Sequence, residues 1–294
     1  MASPMLIYFE EERASAERIA AAAGMQAACI ARHRFPDGEL KLRLPSALPS
    51  RVVFLRTLDR PNEKFVELLL AARTARTLGA AHLTLVAPYL AYMRQDMAFE
   101  PGEAVSQSIV GSFLASLFDA LITVDPHLHR VHTLQEAVPL AQAVVLSGAP
   151  LLADLIAQHL PGALLVGPDA ESAQWIAQAA ARHGFEHAVC RKVRNGDRAV
   201  EIELPALKFS ARHVVLLDDV ASSGHTLAEA ARRLLAAGAA SVDVAVTHAL
   251  LADGALHTLQ TAGIGRIWST DCIPHPSNAV SMTPLLAAAL NNLR

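Results

Sequence analysis

Residues 213–226 read HVVLLDDVASSGHT, and this stretch decides the fold. Val214–Leu217 is a continuous apolar run, the signature of a strand buried on both faces of a parallel sheet. Asp218 and Asp219 follow at its carboxyl end, where open α/β sheets place their ligands. Ala221 to Thr226 then supplies small hydroxyl residues and one glycine before a helical pattern begins. Backbone N–H groups at a helix start, with the hydroxyls of Ser222, Ser223 and Thr226, suit a phosphate. Gly224 permits close backbone approach, and His225 completes the turn. The G-x-x-x-x-G-K-[ST] nucleotide loop and its lysine are absent. An anion cradle beside two acids implies a ligand with phosphate at one end and hydroxyls or a metal at the other. A sugar phosphate fits.

Further apolar runs extend the pattern. Met5–Phe9, Val52–Leu55, Leu83–Ala87, Leu121–Val124, Leu164–Val166 and Val242–Val246 read as strands. Helical periodicity predicts helices over Asn62–Leu78, Ala104–Leu117, Ser172–His183 and Thr226–Ala237, the last stopping at Gly238. Strands alternating with helices predict a parallel α/β sheet. There is also an internal echo. RVVFLRTLDRPNEKFVELLLAARTARTLGAAHLTLVAPYL in the first half and HVVLLDDVASSGHTLAEAARRLLAAGAASVDVAVTHAL in the second both run strand, loop, helix, Gly-Ala-Ala, strand. They differ in length by about one helical turn. Duplication is the expectation: two similar domains, residues 1–140 and 141–294, meeting around Pro139 and Gly148-Ala149-Pro150. The last helix could pack back on the first domain. Only the second copy keeps the acid pair, because the first has Arg56-Thr57-Leu58-Asp59 in its place.

The chain has 294 residues, 52% of them hydrophobic, a net charge of −3 and interspersed acids and bases. No basic patch implies nucleic acid, and no apolar run reaches the ~18 residues of a membrane span. The N-terminal stretch reads as strand and helix and not as a signal peptide. Cys29, Cys190 and Cys272 are isolated, which fits a reducing compartment better than a disulfide frame or a zinc site. A cytoplasmic protein is the expectation.

The acid pair with its small-residue loop resembles the phosphoribosyl-diphosphate-binding motif of type I phosphoribosyltransferases. More of the chain narrows the choice. FPDGE (35–39), PYLAYMRQD (88–96), FEPGEAVS (99–106), VDPH (124–127), GPD (167–169), RKVR (191–194) and LLDDVASSGHT (216–226) occur in the order found in ribose-phosphate diphosphokinases, also called phosphoribosyl-diphosphate synthetases. The resemblance covers most of the chain. It implies an α/β fold of two tandem type I phosphoribosyltransferase-like domains, each a mainly parallel sheet flanked by helices. It implies an enzyme that moves a pyrophosphoryl group from MgATP to the anomeric hydroxyl of ribose 5-phosphate, releasing AMP.

Residue by residue, the resemblance makes Lys192 and Arg194 transition-state stabilisers on a loop that closes over the phosphates. Ser222, Ser223, Gly224, His225 and Thr226 hold the 5-phosphate, and Asp218 and Asp219 face the ribose hydroxyls. His127 and Asp169 match the Mg²⁺ positions, although imidazole is not a favoured Mg²⁺ ligand. Arg94 and Gln95 match ATP contacts. Asp37, Gly38 and Glu39 match an adenine-side segment supplied by a neighbouring subunit, which implies a homo-oligomer with shared sites. His129 and His132 read as surface residues, and Asn195–Arg198 as part of a mobile loop. Departures are Met97-Ala98 after Arg-Gln-Asp, where basic residues are common, and His225, where a small residue is usual. Two other readings stay open: a non-catalytic regulatory homologue and a phosphoribosyltransferase.

Overall fold

The apolar runs become strands whose two faces are both covered. The computed structural model describes residues 3–195 and 199–293. The chain divides into two compact units, one formed by residues up to Leu146 together with those from Met282 onward, the other by Ser147–Ser281.

The first unit contains β1 (Met5–Tyr8), α1 (Arg13–Ala23), β2 (Gln26–Cys29), β3 (Ala31–Arg34), β4 (Leu40–Arg43), β5 (Arg51–Leu55) and α2 (Pro61–Thr77). It continues with β6 (His82–Ala87), α3 (Ser106–Ala115), β7 (Ala120–Val124), the short α4 (Leu134–Ala137) and β8 (Gln142–Leu146). Six strands form a sheet in the order β2-β1-β5-β6-β7-β8, with every pairing parallel. β3 and β4 form a separate antiparallel ribbon. The boundary expected at 140/141 falls before β8, which adds a strand to this first sheet.

The second unit contains α5 (Ala149–His159), β9 (Leu164–Gly167), α6 (Ala173–His183), β10 (His187–Val189), β11 (Arg191–Asn195), β12 (Ala199–Glu203) and β13 (His213–Ala221). α7 (His225–Ala236), β14 (Ser241–Ala249), α8 (Ala255–Thr261), β15 (Ile264–Thr270) and β16 (Asn278–Val280) complete it. Its sheet order is β10-β9-β13-β14-β15-β16, again all parallel, with β11 and β12 as an antiparallel ribbon. Strand for strand this repeats the first unit, ribbon included, although no helix between β15 and β16 answers α4. α9 (Thr283–Asn292) returns to the first unit and packs on α1, as α5 packs on α6 in the second.

Strand periodicity explains the cores. Along β13, Val214 and Leu216 join one apolar cluster while Val215 and Leu217 join the cluster on the opposite face. A strand read as uniformly apolar thus alternates between two layers. On α7, Leu227, Ala228, Ala231 and Leu234 are buried at helical spacing. The echoed Gly-Ala-Ala ends α2 and α7 alike. Gly79 and Gly238 have φ of +94° and +92°, and the next N–H turns back to Ala75 and Leu234 respectively.

Two expectations need correction. β13 runs to Ala221, so Asp218 and Asp219 lie within the strand and not beyond its end. β14 supplies the reason: Asp218, Val220 and Ala221 stand opposite Val246, His248 and Ala249, and this pairing outweighs the poor strand propensity of the acids. Arg191–Asn195, read as loop, is strand β11 paired residue for residue with β12. Gly196, Asp197 and Arg198, from the stretch read as mobile, lie outside the described residues.

One helical glycine tests the packing. A Cβ on Gly111 of α3 would sit 1.7 Å from the carbonyl oxygen of Ala137. Gly→Ala in a helix ordinarily gains up to ~1 kcal/mol. Here the backbone clash reverses the sign, and Gly111→Ala is expected to lower stability by about 1–3 kcal/mol in urea unfolding. Unchanged or higher stability would show that α3 and α4 do not meet this closely.

Candidate active site

In the second unit, the strand that carries the acid pair also delivers the loop. Asp219 is buried and Asp218 half-buried. The Asp219 N–H donates to Asp218 Oδ1 at 3.0 Å. Burial, and then the negative charges of Asp219 and Asp169, hold the Asp218 carboxyl well above its ordinary value. The three acids therefore act on one another, and the site is a place where added positive charge is favoured.

Asp169 ends β9. Its side chain accepts the Glu171 N–H at 3.0 Å, and its carbonyl accepts the Ser172 hydroxyl at 2.6 Å. These bonds fix a carboxylate that is itself buried. Its other oxygen meets the Lys192 ammonium at 2.5 Å. Lys192 comes from β11, so the ribbon brings it to the acids. Arg194 lies on the same strand, and its side chain falls outside the described ones. After β13, Gly224 adopts φ +76° and caps α7, leaving the first helical N–H groups with no side-chain cap. Leu251 N–H donates to Ala221 carbonyl and Ala252 N–H to Ser222 carbonyl, at 2.9 and 3.0 Å, which ties the loop down. Ser223 and His225 are exposed, and Ser222 and Thr226 half-buried. The structure thus brings Asp169, Lys192, Asp218 and Asp219 together, with Ser222–Thr226 following directly.

In the first unit, Asp37, Gly38 and Glu39 form the turn between β3 and β4. Phe35 N–H donates to Glu39 carbonyl at 2.8 Å, Gly38 N–H to Phe35 carbonyl at 2.9 Å, and Glu39 N–H to Asp37 Oδ1 at 3.1 Å. Gly38 has φ +95°, which a side chain would resist. Arg94 is exposed on the loop after β6, and neighbouring Gln95 donates to Met97 carbonyl at 3.0 Å. Asp96 accepts from Arg130 at 2.6 Å.

His127 follows β7, after Asp125, whose φ of +36° marks a sharp exit from the strand. The rings of His127 and His129 meet edge to face with centroids 4.0 Å apart, and their Nε2 atoms are hydrogen-bonded. His129, read as a surface residue, is therefore half-buried and a partner of a site candidate; the i, i+2 spacing was the only sequence signal. His132 is exposed.

A second feature escaped the sequence reading. Where the second unit has Asp218, the first has Arg56, which is fully buried. It donates to both Glu12 oxygens at 2.8 Å and pairs with Glu67. Burial pushes the Glu12 carboxyl up to about 7, although Arg56 opposes the shift. The first copy of the acid site is thus closed by an internal ion cluster.

The raised Asp218 gives a signed prediction. A carboxyl whose folded pKa exceeds its unfolded one supports the fold at low pH and loses that support as pH rises through the folded value. Without ligand, Asp218→Asn is expected to melt a few degrees higher than the parent at pH 8, with the difference shrinking toward pH 4. A lower melting temperature at both pH values would mean that Asp218 is a net structural anchor.

Comparison with known proteins fits this arrangement. Residues 5–117 match the family described as the N-terminal domain of ribose phosphate pyrophosphokinase, and residues 142–258 match the phosphoribosyl transferase domain. The ribose-phosphate pyrophosphokinase of Methanopyrus kandleri is 37% identical over 279 residues, 94% of either chain. That of Methanosarcina acetivorans is 34% identical over 95% of this chain and 96% of its own. Among solved structures, a phosphoribosylpyrophosphate synthetase from Mycobacterium smegmatis aligns over 99% of both chains with a TM-score of 0.86. At 23% identity that likeness speaks to the fold: two tandem phosphoribosyltransferase-like domains. With sequence identity above 30% over nearly its whole length, this chain belongs to the ribose-phosphate pyrophosphokinase family.

Proposed function

We propose that this protein is an active ribose-phosphate pyrophosphokinase, converting ATP and ribose 5-phosphate to 5-phosphoribosyl 1-diphosphate and AMP. The observation that carries the reading is the cluster of Asp218, Asp219 and Asp169 with Lys192, followed by an uncapped helix start. A regulatory homologue would have no need to keep three mutually repelling carboxylates.

In this reading the N–H groups and hydroxyls of Ser222–Thr226 receive the 5-phosphate, aided by the positive end of the α7 dipole. Asp218 and Asp219 accept hydrogen bonds from the ribose hydroxyls. That orients the anomeric oxygen for attack on the β-phosphorus of ATP. The new bond is from that oxygen to phosphorus, the bond broken joins the β-phosphorus to the oxygen of the α-phosphate, AMP leaves with that oxygen, and the hydroxyl proton passes to solvent. Such transfer depends on positioning and charge neutralisation. Lys192 and Arg194 neutralise charge on the group in flight, so Lys192 exchanges Asp169 for phosphate oxygens. Arg94 and Gln95 contact ATP, and Asp37, Gly38 and Glu39 approach the adenine from a neighbouring subunit of a homo-oligomer.

The donor set fits Mg²⁺. The oxygens of Asp169 are hard ligands, and the negative charges of Asp219 and Asp169, which add to burial in raising Asp218, favour a nearby cation. His127, a nitrogen donor, suits Mg²⁺ less well and is assigned to a water-mediated or phosphate contact. When bound beside Asp169, Mg²⁺ would supply positive charge to offset that of the phosphates. Among the described residues no helix is long and apolar enough to cross a membrane.

The deciding assay is AMP formation. With ATP, ribose 5-phosphate and Mg²⁺ present, AMP should appear, and omission of ribose 5-phosphate should abolish it. No AMP from folded protein, beside an active relative, rejects the proposal. For Lys192→Ala, kcat should fall by about 100-fold or more with KM for either substrate changed by less than about threefold, because its partner charge develops in the transition state. An equal loss through KM alone would make Lys192 a ground-state binding residue.

A further inference from the structure

The ribbon β3–β4 has little core of its own. All four residues of β3 are exposed, and along β4 only Leu40 and Leu42 are half-buried. A two-stranded ribbon of this kind is marginal in water. Its position must come from what ties it to the rest of the unit.

Two arginines supply the tie. Arg32 and Arg34 alternate along β3 and so share a face. Arg32 pairs with Glu67, and Arg34 meets Glu63 at 2.7 Å. Glu63 and Glu67 are i, i+4 on α2. Two residues of strand span about 6.7 Å and four of helix about 6 Å, so the two spacings match and the pairs form rungs of a ladder. The rungs are unequal. Glu63 and Arg34 are exposed, and such a pair contributes little. Glu67 is 1% exposed. Its second oxygen is held by Arg56 from beneath, and Arg56 is braced by Glu12 and by the ring of Phe9, 4.6 Å from its guanidinium. Glu11 links the two layers, meeting Arg32 at 2.8 Å. Between the rungs and the turn lies an open groove of about 330 Å³, lined by Arg34, Gly38, Glu39 and Leu40 of the ribbon and by Glu63, Val66 and Leu70 of α2. Beside that groove the charge pairs hold the β3 edge, while Leu42 of β4 packs on the apolar core.

We infer that the Arg56–Glu67–Arg32 relay is a positioning device, with Arg32 the residue that sets where the Asp37–Glu39 turn is presented to ATP. This rests on the proposed assignment of that turn to the adenine side. The relay stands where the duplicated unit keeps its acid site: the first copy has exchanged a ligand-facing Asp218 for Arg56, which orients Glu67 for the ribbon.

The test compares Arg32→Gln, Arg56→Met and Glu39→Ala in the full-length protein. Arg56→Met strands buried Glu12 and could fail to fold, so Arg32→Gln, at an exposed strand position, carries the decision. In Arg32→Gln, KM for ATP should rise about fivefold or more, with kcat within about twofold and KM for ribose 5-phosphate unchanged. Amide exchange should quicken across residues 31–43 and nowhere else, a readout of ribbon position that needs no turnover. Arg34→Gln should show the same pattern more weakly. If Glu39→Ala raises KM for ATP and Arg32→Gln does not, the relay has no positioning role. If neither variant changes KM for ATP, the adenine assignment of the turn fails and the inference falls with it.

Discussion

Every strand of each main sheet runs the same way, and this one constraint places everything else. A parallel sheet must be covered on both faces and can be closed only by crossovers. Loops that follow the strands therefore gather along one edge of each sheet. Asp169 after β9, the acids late in β13 and the turn before α7 all belong to that edge in the second unit. Arg56 after β5, the Arg94 loop after β6 and His127 after β7 belong to it in the first. Each copy buries its own apolar interior, and the chemistry of the copies diverges where Arg56 stands in place of Asp218.

The copies resolve the same position in opposite ways. In the second unit the strand end keeps carboxylates together, an arrangement that added positive charge would relieve. Strain of this kind is a familiar companion of binding sites. In the first unit an arginine meets the acids from inside, and Glu12 and Glu67 are paired without a ligand. A buried ion pair of this sort adds little net stability, since desolvation offsets attraction. What it adds here is a defined geometry for the carboxylate above it.

Much of the fold was legible because buried parallel strands advertise themselves as unbroken apolar runs, and the echoed Gly-Ala-Ala marked two equivalent helix ends. The ribbons were legible only in part. The Pro-Asp-Gly turn and the alternation of Leu40-Lys41-Leu42-Arg43 mark β4, but β3 reads Ala-Arg-His-Arg, and a strand exposed on both faces has no hydrophobic period to read. The extension of β13 through Asp218 and Asp219 was hidden because pairing with β14 overrides local propensity. Motif order carried the site residues, and their roles rest on that resemblance and not on distances. Arg56 left only a faint trace: Glu67 sits in line with Leu68, Ala71, Ala72 and Ala75, a charge on the buried side of α2 that called for a hidden partner.

The helix α9 has a consequence for how the molecule comes into being. α1 meets its partner only after Ser147–Ser281 has been synthesised, because the covering helix follows that unit in the chain. Until then the earlier-made unit keeps an uncovered alanine-rich flank on α1. Its packing is completed by a segment made after the other unit.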